Sequence, residues 1–131
     1  MGMAEPFQFK KHYTLEEARQ LLPQIRSALQ KIRFLRERLA TADQRMASLL
    51  KDGHELGGEL VNQSLRHLAE LRELLLGFHR QEIFLKDVDR GLVDFPSLRN
   101  GREIFLCWEE DDEDIEFWHD IEAGYAGRER L

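Results

Sequence analysis

TLEEARQLLPQIRSALQKIRFLRERLATADQRMASLLKDG, residues 14–53, decides the architecture. Thr14 and Glu17 form an S/T-x-x-E capping box, in which hydroxyl and carboxylate each satisfy one orphan amide of a helix start. Tyr13 stands just ahead, placed to staple onto Ala18. Apolar residues then recur at Leu15, Ala18, Leu22, Ile25, Leu29, Ile32, Leu35, Leu39, Ala42, Met46 and Leu49. The steps alternate between 3 and 4, with one step of 4 missing between Ile32 and Leu35, so one helix over 15–52 carries a single stripe. Pro23 lacks an amide and crowds the carbonyl of Arg19, which predicts a kink. Asp52-Gly53 ends the helix, and Gly53, Gly57 and Gly58 make a loop around His54 and Glu55.

A second helix follows over about residues 60–80, with Val61, Leu65, Leu68, Leu71, Leu75 and Phe78 as its stripe, widened by Leu60 and Leu74. At 1.5 Å per residue the two helices are ~57 Å and ~32 Å long. An antiparallel hairpin of such unequal arms leaves the leading stripe, Leu15 to Leu29, without a partner. The C-terminal segment is expected to cover most of it, with a second subunit as the other candidate.

From Ile83 the period changes to two. Ile83–Val88 reads as a strand, Asp89-Arg90-Gly91 as a turn, and Leu92–Phe95 as a second strand cut off by Pro96. Asn100-Gly101 is the favoured type I′ hairpin dipeptide. Glu103–Trp108 is the best strand of the chain, and Ile115–His119 reads as its partner beyond an acidic tip. The tail, Ala123–Arg128, is too glycine-rich for a regular element. The fold class is therefore α+β: one domain over 1–131, a long antiparallel helical hairpin followed by a small antiparallel meander of three or four strands packed on the first helix.

The single cysteine, Cys107, excludes an internal disulfide and suits a reducing, cytoplasmic setting. The start, Met1 to His12, offers no secretion signal, and no apolar run approaches a membrane span. Residues 1–52 carry ten Lys/Arg against six Asp/Glu, a net of +4, while 53–131 carry nine against nineteen, a net of −10. That balance disfavours nucleic acid as a partner. The opposed halves permit self-association, although solvated surface charge is the commoner outcome.

His119 is the most informative polar residue. If Ile104, Leu106 and Trp108 share the core face with Ile115, Phe117, His119 and Ile121, the imidazole sits among apolar neighbours and needs partners. It is then either a neutral core histidine bonded to a carboxylate or a carbonyl, or a metal ligand or general base helped by Asp94, Asp120 or Glu122. Cys107 reads as a small buried hydrophobe, and His12, His54, His67 and His79 as surface residues. Trp108, Trp118 and Tyr125 read as core or interface aromatics. Arg102 and Arg128 are carboxylate partners or anion clamps. The run Glu109–Asp114 is no EF-hand: counted from Asp111, position five is Ile115 and position six Glu116. A solvated hairpin tip accounts for it. His67 precedes Glu70, the reverse of a di-iron motif, and there is no P-loop, nucleophile elbow or dinucleotide fingerprint.

Four blocks together resemble a family of small prokaryotic proteins, domain of unknown function 2203. They are Tyr13–Ala18 with Leu21-Leu22-Pro23, Gly91–Pro96, Gly101–Trp108, and Trp118–Arg128. The resemblance covers nearly the whole chain and implies a bacterial cytoplasmic protein. It implies no activity, and it gathers interest on Glu17, Asp94, Glu103, His119, Asp120, Glu122 and Arg128.

Two functions follow as expectations. The first is a non-catalytic interaction module, a homodimer or a partner-binding hairpin with no cofactor, whose binding residues are Arg102, Arg128, Glu17 and Glu103. The second is a metal-binding protein or metal-dependent enzyme that holds a divalent ion through His119 with Asp94, Asp120 or Glu122.

Overall fold

Thr14 caps α1, Leu15–Lys51, through the reciprocal capping box with Glu17, in the computed structural model, which describes residues 7–131. Residues 1–6, on which part of the no-signal expectation falls, lie outside the described residues. The helix runs through Pro23 without interruption. A glycine loop leads to α2, Glu59–Arg80. The chain then forms β1, Phe84–Asp87, β2, Leu92–Arg99, β3, Arg102–Glu109, β4, Phe117–Asp120, and β5, Glu129–Arg130. These are one antiparallel sheet in sequence order, so the expected meander gains a fifth strand. The tail also holds a 3-10 turn, Tyr125–Gly127, where no regular element is expected from its glycines.

Pro96 does not end its strand. It pairs opposite Phe105, and β2 continues to Arg99. Beyond Asp94 the other side of β2 has no β1 residue beside it, and there the Pro96 carbonyl accepts from the Tyr13 amide at 2.7 Å. In an antiparallel ladder the N and O of one residue face the same neighbour, so the missing proline amide lies on an edge. Asn100 and Gly101 take φ of 53° and 76°, both positive as a type I′ turn requires.

The leading end of α1 is covered from within the chain. Ala18, Leu22, Ile25, Leu29 and Ile32 form one buried cluster with Phe78 of α2 and with Val93, Phe95, Ile104, Leu106, Trp108 and Trp118 of the sheet. The basic side of α1 meets the acidic tip at seven-residue intervals. Arg19 binds Asp114, Arg26 donates to the carbonyls of Glu110 and Asp112, and Arg33 pairs with the Glu110 carboxylate. The opposed charges of the two halves thus meet inside one molecule, and the tip is docked on α1, not freely solvated.

Two expected faces are corrected. Leu106 stands opposite Trp118 and Phe105 opposite His119, so Trp118 lies on the core face and His119 on the other. The expected pairing of Ile104, Leu106 and Trp108 with Phe117 and His119 is off by one residue, which exchanges the two sides of a strand. On α2, Leu71, Leu74 and Phe78 belong to the packed side, whereas Leu65, Leu68 and Leu75 of the expected stripe are exposed.

Candidate functional site

The second face of the sheet carries the most concentrated chemistry. Asp94 of β2 stands opposite Cys107 of β3, and His119 of β4 stands opposite Phe105. Side chains alternate along strands, so Asp94, Phe105, Cys107 and His119 all project to one side. That side is roofed. Phe9 and Phe84 pack on the Phe105 ring at 5.3 and 5.6 Å, and Phe105 lies 5.4 Å from the imidazole. The 3-10 turn closes the other end. Arg128 lies between the rings of Phe117 and Tyr125, at 4.0 and 4.1 Å, and Tyr125 donates to the Glu109 carboxylate. Asp94 and His119 retain only 3% and 2% of their exposure.

The hydrogen bonds of His119 determine its tautomer. Nδ1 lies 2.7 Å from the Asp120 carbonyl, which can only accept, so Nδ1 carries the hydrogen. Nε2 then presents its lone pair to Asp94 Oδ2 at 3.1 Å. Two acceptors at that distance need a cation between them, a proton or a metal ion. Asp94 Oδ1 is buried with no hydrogen-bond partner among the described residues. Burial raises the Asp94 carboxyl, against the pull of His119 and Lys86. Burial, followed by the Asp94 charge, pushes the Cys107 thiol up to about 12. An unliganded thiol there is a poor nucleophile.

One donor atom from each of Asp94, Cys107 and His119 lies within 4.8 Å of the others. Beside them is a cavity of about 180 Å³, lined by Lys86, Leu92, Ile121, Gly124 and Tyr125 together with the three donors and Phe105.

Of the residues singled out from the sequence, the fold brings Asp94, His119 and Arg128 to this region. Arg128 lies near enough to Cys107 to oppose the rise of its thiol. Asp120 is exposed and pairs with Arg102 at 3.0 Å, and Glu122 is exposed at the surface, so neither joins the cluster. Glu17 serves the helix cap and Lys11. Glu103 accepts the amides of Gln8 and Phe9 and pairs with His12, which is half-buried there and not a surface histidine. Arg102, Glu17 and Glu103 therefore do not share one site. Cys107 is the donor that its reading as a hydrophobe missed. A signal for it exists: a two-residue turn at Asn100-Gly101 sets Arg99 opposite Arg102, and counting back along both arms sets Asp94 opposite Cys107.

A family model, described as an uncharacterized conserved protein (DUF2203), matches residues 11–131. No curated protein and no solved structure matches the chain.

Proposed function

We propose, for a chain that belongs to the DUF2203 family of uncharacterized conserved proteins, that it is a zinc-binding protein whose ion is held by Asp94, Cys107 and His119. The observation that carries this reading is the meeting of three unlike donors from three neighbouring strands within 4.8 Å. Asp94 Oδ1 supports it, since it makes no hydrogen bond of good geometry although the Cys107 thiol lies against the same carboxyl. The donor set suits the ion. Zinc takes thiolate, imidazole and carboxylate at about 2.0–2.3 Å in tetrahedral geometry, which needs donors about 3.3–3.7 Å apart. Nε2 and Oδ2 are at 3.1 Å, and the remaining separations need only about an ångström of closure.

Charge agrees. A dication with one carboxylate, one thiolate and a neutral imidazole carries no net charge over the ion and its ligands. Zinc would displace the thiol proton that burial otherwise retains. The Nδ1–H bond to the Asp120 carbonyl orients the imidazole as an outer partner of a zinc histidine does. Three protein donors leave a fourth position, and the cavity beside Lys86 and Tyr125 has room for water or a small ligand there. A thiolate ligand suits a reducing compartment, and this reading favours a cytoplasmic protein.

A second reading stands on the 3.1 Å contact alone: the Asp94–His119 pair shares a proton and ties β2 to β4 behind β3. Elemental analysis of untagged protein, purified without chelator, separates the two. About one zinc per chain is expected, lost in Cys107→Ser and His119→Ala, with a melting temperature that falls on chelation. Protein free of transition metal, whose melting temperature zinc does not move, leaves the proton-sharing pair.

A further inference from the structure

We infer that the cavity on the second face of the sheet binds a small carboxylate with a short apolar body, held by the Lys86 ammonium. Phe84 of β1 stands opposite Asp94, and Lys86, two residues further on, lines the cavity. Lys86 Nζ lies 5.5 and 5.7 Å from the centres of the Phe84 and Phe105 rings, so the ammonium is held against the aromatic roof. Arg128, stacked between Phe117 and Tyr125, has Nη1 buried without a partner. Among the described residues neither Lys86 nor Arg128 forms an ion pair, whereas Arg90, on the Tyr125 ring, is paired with Glu109.

Charge around the cavity calls for an anion. With a proton shared between Asp94 and His119, that pair carries no net charge and Cys107 stays a thiol. With zinc there, the ion cancels the Asp94 carboxylate and the Cys107 thiolate. In both states Lys86 and Arg128 remain as cations with no counter-charge among the groups lining the cavity. The excess is therefore the same whichever cation lies between Asp94 and His119. A low-dielectric wall around such a pair of cations strengthens its pull on an anion.

Size and lining set the class of anion. The cavity holds about 180 Å³, roughly the share of six waters, which admits about four to six non-hydrogen atoms. Leu92, Phe105 and Ile121 on its wall bring no hydrogen-bonding side chain. The Tyr125 hydroxyl is already given to Glu109, and His119 Nδ1–H to the Asp120 carbonyl. Lys86 is thus the one cation on the lining among the described residues. A phosphate would need donors on several sides. A short-chain carboxylate puts both oxygens at one end, on the ammonium, and lays its alkyl chain against the apolar wall.

Butyrate is the probe, titrated at constant ionic strength into the full chain, zinc-loaded and chelator-treated, with amide shifts as the readout. Zinc content is measured separately, so failure of the zinc reading and failure of this one are told apart. Saturable shifts at Cys107, Ile121 and Gly124 are expected in both forms, with Kd of about 1 mM for so small a ligand. Butyramide, of the same shape without the charge, is expected to bind at least about tenfold more weakly. Lys86→Gln is expected to weaken butyrate by about tenfold, and Lys86→Arg to restore most of it. Lys86 is exposed, so both variants should keep the wild-type spectrum elsewhere. No saturation at these amides in either form overturns the inference. So does equal binding of butyramide, undiminished binding to Lys86→Gln, or tighter binding of inorganic phosphate at the same amides.

Discussion

Arg26 lies with its guanidinium 4.9 Å from the centre of the buried Trp108 ring and donates to the carbonyls of Glu110 and Asp112 at 2.6 and 2.7 Å. Trp108 Nε1 donates to that same Asp112 carbonyl. One side chain of α1 thus holds the acidic tip and covers the largest core residue. Arg26→Ala is expected to cost about 2–3 kcal/mol, since it removes two charge-assisted bonds and the stacked plane. Arg26→Lys is expected to recover less than half of that, because an ammonium cannot fork between two carbonyls. Urea unfolding measures both. A loss below about 0.5 kcal/mol in the alanine variant would show the tip to be held by other contacts.

Gly91 turns the chain from β1 into β2 at φ +68°, with its amide on Val88 and its carbonyl accepting from Glu110. A Cβ built there would lie 2.4 Å from Glu110 Cβ. Gly91→Ala therefore meets both a left-handed backbone and a clash with a side chain that Arg33 holds in place. The expected loss is at least about 2 kcal/mol. Gly101→Ala has a similar φ of +76° and open space around it, and should lose only the backbone part, about 1 kcal/mol. Equal losses at the two positions would contradict the packing argument.

These two sites show where sequence reasoning reaches and where it stops. The cap at Thr14, the extent of both helices and the Asn100-Gly101 turn depend on neighbours within a few residues, and each was legible. The same turn carries the Asp94–Cys107 pairing, a count that the reading of Cys107 as a buried hydrophobe left undrawn. The β3–β4 register was not legible, because a longer acidic loop sets it, and that loop takes its shape from Arg19 and Arg26 on a distant helix. A slip of one residue placed His119 on the wrong face. The outward leucines of α2 failed for another reason. Its apolar residues span two adjacent faces, and periodicity alone cannot say which one turns to α1.

Glu103 gives the fold a dependence on acid. Its carboxylate accepts the amides of Gln8 and Phe9 at 2.8 and 3.0 Å and lies 2.8 Å from His12 Nε2. Burial alone would raise this carboxyl, but the bonds from His12 and the two amides outweigh it and hold it below the usual range. A carboxyl depressed on folding contributes stability above its unfolded pKa, and that contribution is lost as pH falls through the folded value. The N-terminal clasp over β3 should therefore weaken in the acid range below about pH 4.5. Thermal melts of the wild type and Glu103→Gln are expected to differ at neutral pH and to converge in acid. Parallel curves over that range would mean that the carboxylate adds nothing to the clasp.

Cys107 makes the sharpest chemical prediction. Its thiol is buried and held near 12, by burial first and the Asp94 charge second. At pH 8 about one thiol in ten thousand is then ionised, against roughly one in four for an unperturbed cysteine. Chelator-treated native protein should react with a disulfide reagent about a thousandfold more slowly than the urea-unfolded chain, quite apart from steric protection. Asp94→Asn removes the charge that opposes ionisation, and should speed the native reaction while leaving the unfolded rate unchanged. A native rate within tenfold of the unfolded one would mean that the second face of the sheet opens readily. In that case neither the pair across β2 and β4 nor a buried metal could be held there.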